Sequence, residues 1–343
     1  MRLNELTQDL QKRSAGTESP NADRSARLRV EYRLAGAEAT LQSGLLAAIR
    51  FGHTAAASAD GPLCIDVQLQ QLTPAAYSEC WYASGAVTRG QAGSIRYACD
   101  AEHLFAVSEL DEDAVGGVAA AAERIYAGMR RFQHQSSFPH LLRIWNYLDA
   151  INSGDGDQER YRQFCVGRSR GLDDANAASY PAATAVGQQR ANGRLQVYWL
   201  ATRTAGTFIE NPRQVSAYRY PRSHGPVSPS FARATLARDG ALLISGTASI
   251  VGHVSQHAGD PLAQLDETLH NLAALGAPVN GGDSKAPPTE NTLLKVYVRD
   301  AGNVEAIAQK VSAAFPRSPA LFLAADICRR ELLLEIELVK LAV

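Results

Sequence analysis

The sequence predicts an α+β protein in which two layers of helices pack on mixed β-sheets. Short alternating runs extend from residue 28 to about residue 110, helical periodicity follows them, and the second half of the chain repeats that order. Because strands come in runs rather than in strict alternation with helices, each sheet is expected to carry its helices on one face. A chain of 343 residues is long enough for two hydrophobic cores.

The first half begins with a polar lead, residues 1–27, which we expect to be mobile. Strand-like runs follow: RLRVEYRLA from Leu28, LLAAIRFG from Leu45, then PLCIDVQLQ, ECWYASG, SIRYACD and HLFAVSEL. DEDAVGGVAAAAERIYAGMRRFQ from Asp111 has acids in its first turn and bases in its last, which favours a helix. HLLRIWNYLDAIN from His140 predicts a second helix. After a turn at SGDGD, ERYRQFCVGR predicts a third.

The second half predicts the order ββαβαββ. Its elements are strands at 228–236 and 241–250, a helix at 261–275, a strand at 292–298, a helix at 304–315, and strands at 320–327 and 332–339. The stretch 279–291 is rich in Gly, Pro and Asn and predicts a long loop. We therefore divide the chain into a lead (1–27), an N-terminal unit (28–222) and a C-terminal unit (223–343).

Composition restricts the possible partners of the protein. The net charge is -1, so the sequence lacks the basic excess that favours nucleic acid or anionic membranes, and a small molecule is the expected partner. Five cysteines without a CxxC pair predict reduced thiols and a cytoplasmic location. No apolar run approaches the ~18 residues needed to span a bilayer. His253, His257 and His270 are spaced too loosely to indicate a metal site.

The last strand places a carboxylate in an otherwise apolar run. Leu334, Ile336 and Leu338 share one face, which predicts core, and Glu335 and Glu337 lie on the other. Each of these carboxylates could lie on a solvated face or in a cleft. The solvated interpretation suits Glu337 better. In a cleft, loss of water would raise the pKa of Glu335 and let it exchange a proton near neutrality.

Two further segments combine arginine with tyrosine. On a helix, Tyr161 and Arg168 lie on one stripe, although most such stripes are amphipathic packing. Arg233 alternates with Phe231 on a predicted strand, and Tyr220 precedes a proline, which favours extended backbone. Each guanidinium can bind a carboxylate through two hydrogen bonds, so the set suits a small dicarboxylate.

Small residues and one cysteine complete the candidates. The run SGTAS at 245–249 would let a ligand approach a strand backbone closely, but it is not a phosphate-binding loop. Cys328 has no evident histidine partner, so an inert thiol is favoured over a nucleophile.

The motifs also resemble known families. GPVSPSFARATLARDGALLISGTASIVGH, the ββαβαββ order and LLLEIEL resemble the reactive-intermediate deaminase (RidA/YjgF-like) fold. ERYRQFCVGR, NPRQVSAYRYPRSHGPVSPSFARA and DICRRELLLEIE resemble the chorismatases more narrowly. These place that fold at their C-terminus and a divergent copy before it. The resemblance covers Tyr32 to Val343.

This resemblance implies an activity and a set of site residues. Chorismatases remove pyruvate from chorismate without a cofactor, giving either a dihydroxycyclohexadiene carboxylate or a hydroxybenzoate. Glu335 resembles the family's acid/base. Gly246 and Cys328 resemble residues of the hydroxybenzoate-forming branches, with Ala241 and Ala248 as alternatives to Gly246. The implied substrate ligands are Tyr161, Arg168, Tyr220 and Arg233.

The leading hypothesis is therefore conversion of chorismate to 3-hydroxybenzoate, with 4-hydroxybenzoate as a further product. The hydrolytic branch and a non-catalytic module that binds an aromatic acid are the alternatives. We expect no metal, and a monomer or a small homo-oligomer.

Overall fold

A computed structural model describes residues 27–36, 44–52, 61–173, 180–188, 193–279, 281–282 and 287–342. All of the predicted lead except Arg27 lies outside the described residues, as do residues 280 and 283–286 of the predicted loop.

The described residues form nineteen strands and four α-helices. The first half contains β1 (Arg29–Leu34), β2 (Leu45–Phe51), β3 (Cys64–Val67), β4 (Tyr77–Tyr82), β5 (Thr88–Ala92), β6 (Ile95–Cys99), β7 (His103–Asp111), α1 (Val118–Gln135), β8 (His140–Asp149), α2 (Arg160–Leu172), β9 (Ala182–Gln188), β10 (Arg194–Thr202) and β11 (Thr207–Ile209). The second half contains β12 (Ala234–Leu236), β13 (Leu242–Thr247), β14 (Ile250–Val251), β15 (Val254–Ser255), α3 (Pro261–Gly276), β16 (Thr292–Val298), α4 (Val304–Ala314), β17 (Ala320–Ala324), β18 (Asp326–Ile327) and β19 (Leu334–Lys340). The predicted ββαβαββ order is confirmed.

Three larger sheets organise these strands. Their orders are β1-β4-β2-β3, β18-β9-β8-β10-β7-β6-β5 and β11-β12-β13-β19-β16-β17. Parallel pairs (β2 with β3, β8 with β9, β16 with β17) occur among antiparallel ones, so the sheets are mixed. β11 precedes the boundary predicted at 222 yet pairs with β12, and β18 pairs with β9 of the first half. The two halves thus exchange strands across that boundary, and the division into two units stays a prediction.

The seven-stranded and six-stranded sheets each carry one pair of helices, which confirms the α+β class. α1 and α2 pack on the seven-stranded sheet through a cluster that includes Met129 and Trp199. α3 and α4 pack on the six-stranded sheet around Leu272 and Ile307, and the Leu334, Ile336 and Leu338 face of β19 belongs to this cluster. A third cluster joins the sheets to one another. Both faces of β19 are therefore buried.

The prediction of a helix from His140 is wrong, because this segment is the strand β8. It lies inside the seven-stranded sheet, antiparallel to β10 and parallel to β9. Residues 142–149 are all buried. A strand that is buried on both faces is apolar nearly throughout, and such a run cannot be distinguished from a buried helix by its periodicity.

The strand predicted at 228–236 is regular only over 234–236. Ala232 makes one isolated bridge to Ala182, and Pro229 has no amide hydrogen to give to a ladder. The helix predicted from Pro261 is confirmed as α3. The Asp260 side chain accepts hydrogen bonds from two backbone amides of its first turn, and the proline occupies an early helical position.

Within the described ranges, no helix has the length and apolar character required to cross a membrane.

Candidate active site

A cavity of about 350 Å³ lies where β9, β13, β19 and α2 meet. This volume falls in the range of small-molecule sites. All seven residues selected from the sequence line it: Tyr161, Arg168, Tyr220, Arg233, Gly246, Cys328 and Glu335. The tertiary structure therefore brings together residues that lie far apart in the sequence.

Glu335 occupies the centre of β19 and is 4% exposed. Its carboxyl group fits because residue 246 is a glycine: a Cβ there would lie 1.8 Å from Glu335 Oε1. The backbone N–H of Gly246 donates to Thr184 Oγ1 (2.9 Å), and the β13–β19 register shifts between Ile244 and Thr247. Gly246 is needed here for space, because any side chain would displace the acid.

Glu335 holds its proton unusually strongly. Burial, followed by the nearby Glu337 carboxylate, raises its pKa to about 8, against the opposing pull of Arg143 and Arg233. Among the described residues, no hydrogen bond to its side chain is found. At neutral pH Glu335 is therefore mainly a carboxylic acid that can donate a proton into the cavity.

The prediction that Glu337 is solvated is wrong. It is 2% exposed and accepts from Lys295 Nζ (2.6 Å), Arg143 Nη2 (2.8 Å), Trp145 Nε1 (2.9 Å) and Thr184 Oγ1 (2.7 Å). Burial alone would raise its pKa, but the Lys295 and Arg143 cations hold it below the usual range. The seven-stranded sheet covers this face of β19, which the sequence of β19 itself does not reveal.

Arg168 reaches the cavity from α2 and is 3% exposed. Its Nη2 donates to the Ser230 carbonyl (2.8 Å), and its guanidinium lies 5.0 Å from the centroid of the Tyr126 ring. Its Nε has no hydrogen-bond partner among the described residues. Tyr161 lies two turns earlier on α2, and burial raises the pKa of its hydroxyl well above the usual value. The predicted helical stripe is thus observed.

Arg233 enters from a bend before β12 and is 4% exposed. Its Nη2 donates to the Tyr220 hydroxyl (2.7 Å) and to the Val215 carbonyl (2.9 Å). Like Arg168, it keeps a buried Nε without a hydrogen-bond partner in the described part of the chain. Two buried guanidinium groups with unused donors favour an anionic ligand, since leaving a buried charge uncompensated is costly.

The structure also shows where Cys328, Ala248 and Ala241 lie relative to the cavity. Burial, followed by the nearby Glu335, raises the pKa of the Cys328 thiol to about 12, so it is protonated at neutral pH. Ala248 lines the cavity. Ala241 lies just before β13 in the core cluster between the sheets and does not line it.

The cavity is also lined by His224 and Arg329, which the sequence reasoning missed. His224 Nε2 and His253 Nδ1 are 3.0 Å apart, and Arg329 donates to the His253 carbonyl (3.0 Å). Burial, followed by the Arg329 charge, lowers the pKa of His224 to about 4, so this histidine is neutral at physiological pH. The arginine also lies over the Tyr220 ring, 5.2 Å from its centroid. The only sequence signal of His224 and Arg329 was their closeness to Tyr220 and Cys328.

A buried acid beside two guanidinium groups, at the junction of two sheets, defines an α+β enzyme site for a small anionic ligand. A family model described as "Chorismatase FkbO/Hyg5-like, N-terminal" matches residues 79–201. A chorismatase from Streptomyces rapamycinicus is 34% identical over 302 residues, 84% of this chain and 89% of the relative. A 3-hydroxybenzoate synthase from Streptomyces hygroscopicus is 33% identical over 293 residues, 79% of this chain and 84% of the relative.

One solved structure agrees with these relatives. A chorismatase crystal structure superposes with a TM-score of 0.82 at 31% identity, covering 93% of this chain and all of that one. The chain belongs to the chorismatase family.

Proposed function

We propose that this protein converts chorismate to 3-hydroxybenzoate and pyruvate without a cofactor. Relatives named chorismatase and 3-hydroxybenzoate synthase support the substrate and the product. The observation that carries the proposal is Glu335, a buried carboxylic acid in the same cavity as Arg168 and Arg233. Chorismate has two carboxylates and an enolpyruvyl ether, which this combination of groups suits.

The two guanidinium groups bind the substrate. Arg168 and Arg233 both line the cavity, so each guanidinium group can take one carboxylate of chorismate. Tyr161 and Tyr220 supply hydroxyl groups at the cavity wall, and the hydroxyl of Tyr220 also holds Arg233 in place. Binding through both ends orients the ring and its ether relative to Glu335.

Glu335 supplies the proton that starts the reaction. Proton transfer to the methylene carbon of the enol ether gives an oxocarbenium-like carbon. The bond from the ring to the ether oxygen then breaks as pyruvate forms its ketone. The C4 hydroxyl oxygen of the substrate takes the place of the leaving group and returns a proton to Glu335. The resulting arene oxide opens to the phenol, so no water enters the product.

We assign the choice of branch to residues that surround the acid. Gly246 leaves space for the carboxyl group of Glu335, and the Cys328 thiol stays neutral beside it. In the hydrolytic alternative, water attacks in place of the C4 hydroxyl and the ring stays non-aromatic.

The test is to incubate the purified protein with chorismate in oxygen-labelled water, to measure pyruvate and to separate the products by chromatography. We expect pyruvate and unlabelled 3-hydroxybenzoate. A non-aromatic diene in place of the phenol would indicate the hydrolytic branch, with the label in the diene if water attacks the ring carbon and in pyruvate if water attacks the oxocarbenium carbon. Tight binding of a chorismate analogue without pyruvate release would indicate a binding module instead.

We further propose a cytoplasmic monomer or small homo-oligomer. All five cysteines lie in the described part of the chain, and none of them forms a disulfide there, as in most cytoplasmic proteins. Size-exclusion chromatography with light scattering would measure the oligomeric state.

A further inference from the structure

We propose that Glu337 is a positioning residue whose fixed negative charge keeps the neighbouring Glu335 in its acid form. The inference rests on the proposed role of Glu335 as proton donor. It assigns a function to the buried ion-pair network around Glu337, which does not need to contact the substrate.

Glu337 is held as an anion by its surroundings. Lys295 lies between Glu337 (2.6 Å) and Glu79 (2.8 Å), and Arg143 contacts Glu337 from β8. The tryptophans 81 and 145 each donate an indole N–H to one of the two carboxylates. Two acids and two bases balance in charge, so the network can remain fully ionised in the core.

The network reaches Glu335 by two routes. Glu335 and Glu337 are two residues apart on one face of β19, so a charge on one opposes a charge on the other in a site with little water. Thr184 Oγ1 donates to Glu337 (2.7 Å) and accepts from the Gly246 N–H (2.9 Å). The same network therefore anchors the backbone beside which the Glu335 carboxyl lies.

Other charged or titratable groups near Glu335 come from four further elements. They are Arg143 on β8, Arg233 before β12, Tyr161 on α2 and Cys328 after β18. Tyr161 and Cys328 are neutral near pH 7 because burial raises their pKa values. Arg143 is already paired with Glu337, and Arg233 would be neutralised by a bound substrate carboxylate. Glu337 is thus the anion that opposes ionisation of Glu335.

The experiment compares Glu337→Gln with Glu79→Gln. Both carboxylates contact Lys295, both accept an indole N–H, and both are buried, but Glu79 lies in the four-stranded sheet. In Glu337→Gln, Glu335 should lose its proton at lower pH. The alkaline limb of the kcat profile should then shift to lower pH by about one unit. As a result kcat should fall about tenfold at high pH and much less at low pH. In Glu79→Gln the limb should stay in place.

A third variant tests the inference independently in case Glu337→Gln does not fold. Arg143→Met removes a cation that favours the charged form of Glu335, so the limb should move to higher pH. A merely structural role would lower activity equally at every pH, and would affect Glu79→Gln and Glu337→Gln alike. Limbs that stay in place in both Glu337→Gln and Arg143→Met would overturn the inference.

A measurement without substrate separates this inference from the proposed function. Infrared difference spectroscopy can follow the protonated carboxyl band of Glu335, assigned by its loss in Glu335→Gln. If the wild type releases no pyruvate but the band titrates at lower pH in Glu337→Gln, the proposed function fails and the inference holds. If pyruvate is released and the band does not shift, the inference fails alone.

Discussion

Glu335 and Glu337 lie on the same face of one strand and are almost equally buried, at 4% and 2% exposure, yet their surroundings differ. Glu335 faces a cavity with a glycine beside it, and its pKa is raised to about 8. Glu337 accepts hydrogen bonds from four side chains, and its pKa is lowered. Burial alone therefore does not determine what a carboxylate does. Its partners decide whether it is a proton donor or a structural anion.

The largest expected effect concerns stability. Glu337→Gln leaves Lys295 and Arg143 with an uncharged partner in the core, so the free energy of unfolding should fall by about 3–5 kcal/mol. Urea denaturation monitored by tryptophan fluorescence measures it. Glu335→Gln is the matched control and should not destabilise the fold. Equal losses in the two variants would contradict the comparison.

Glu335→Gln should instead affect the reaction. Removing the proton donor should lower kcat on the order of 10²-fold or more, about 2.7 kcal/mol, while affinity for a chorismate analogue is retained. Steady-state kinetics and calorimetric titration measure the two quantities. A variant with near-normal turnover would remove Glu335 from the mechanism.

The same substitution should stabilise the protein at alkaline pH. Because the folded pKa of Glu335 is raised, the unfolded chain releases this proton first as pH rises, and the wild type loses stability between about pH 5 and pH 8. Glutamine has no such proton. The stability gain of Glu335→Gln should therefore be about 3 kcal/mol larger at pH 8 than at pH 5, as measured by denaturation at each pH.

Arg168→Ala should chiefly weaken binding. Loss of the buried guanidinium group that we propose binds a substrate carboxylate should raise KM roughly thirtyfold, about 2 kcal/mol, with a smaller change in kcat. Steady-state rates over a range of chorismate concentrations up to saturation measure KM and kcat separately. Equal, mild losses in Arg168→Ala and Glu335→Gln would mean that the roles are misassigned.

The smallest effect is expected from Gly246→Ala. The new Cβ would occupy the position of Glu335 Oε1, so the carboxyl end must move and turnover should fall about tenfold. Ala248 also lines the cavity, and Ala248→Gly adds no atom to it, so this variant should change turnover less. Product chromatography on both variants shows whether the branch changes as well. An unchanged rate in Gly246→Ala would mean that the acid tolerates displacement.

Much of the site could be predicted from the sequence, because its residues contradict their local pattern. A carboxylate in an apolar strand indicated Glu335, and guanidinium groups beside aromatic residues indicated Arg168 and Arg233. Arg143 and Lys295 gave no such signal. Arg143 lies in a segment whose periodicity predicted a helix, and Lys295 lies in the strand predicted at 292–298, whose pattern does not show what covers each face. Their importance depends on which sheet covers them.

The sequence by itself determined the α+β class, the ββαβαββ order of the second half and the identity of the candidate acid, because strand period, helix caps and motif strings are local properties. The tertiary structure alone decided that β8 is a strand, that both faces of β19 are buried and that Glu337 is an ion-paired anion. The physical reason is that solvation belongs to the packed molecule. Two carboxylates with the same local pattern acquire opposite proton affinities only when another sheet supplies their neighbours.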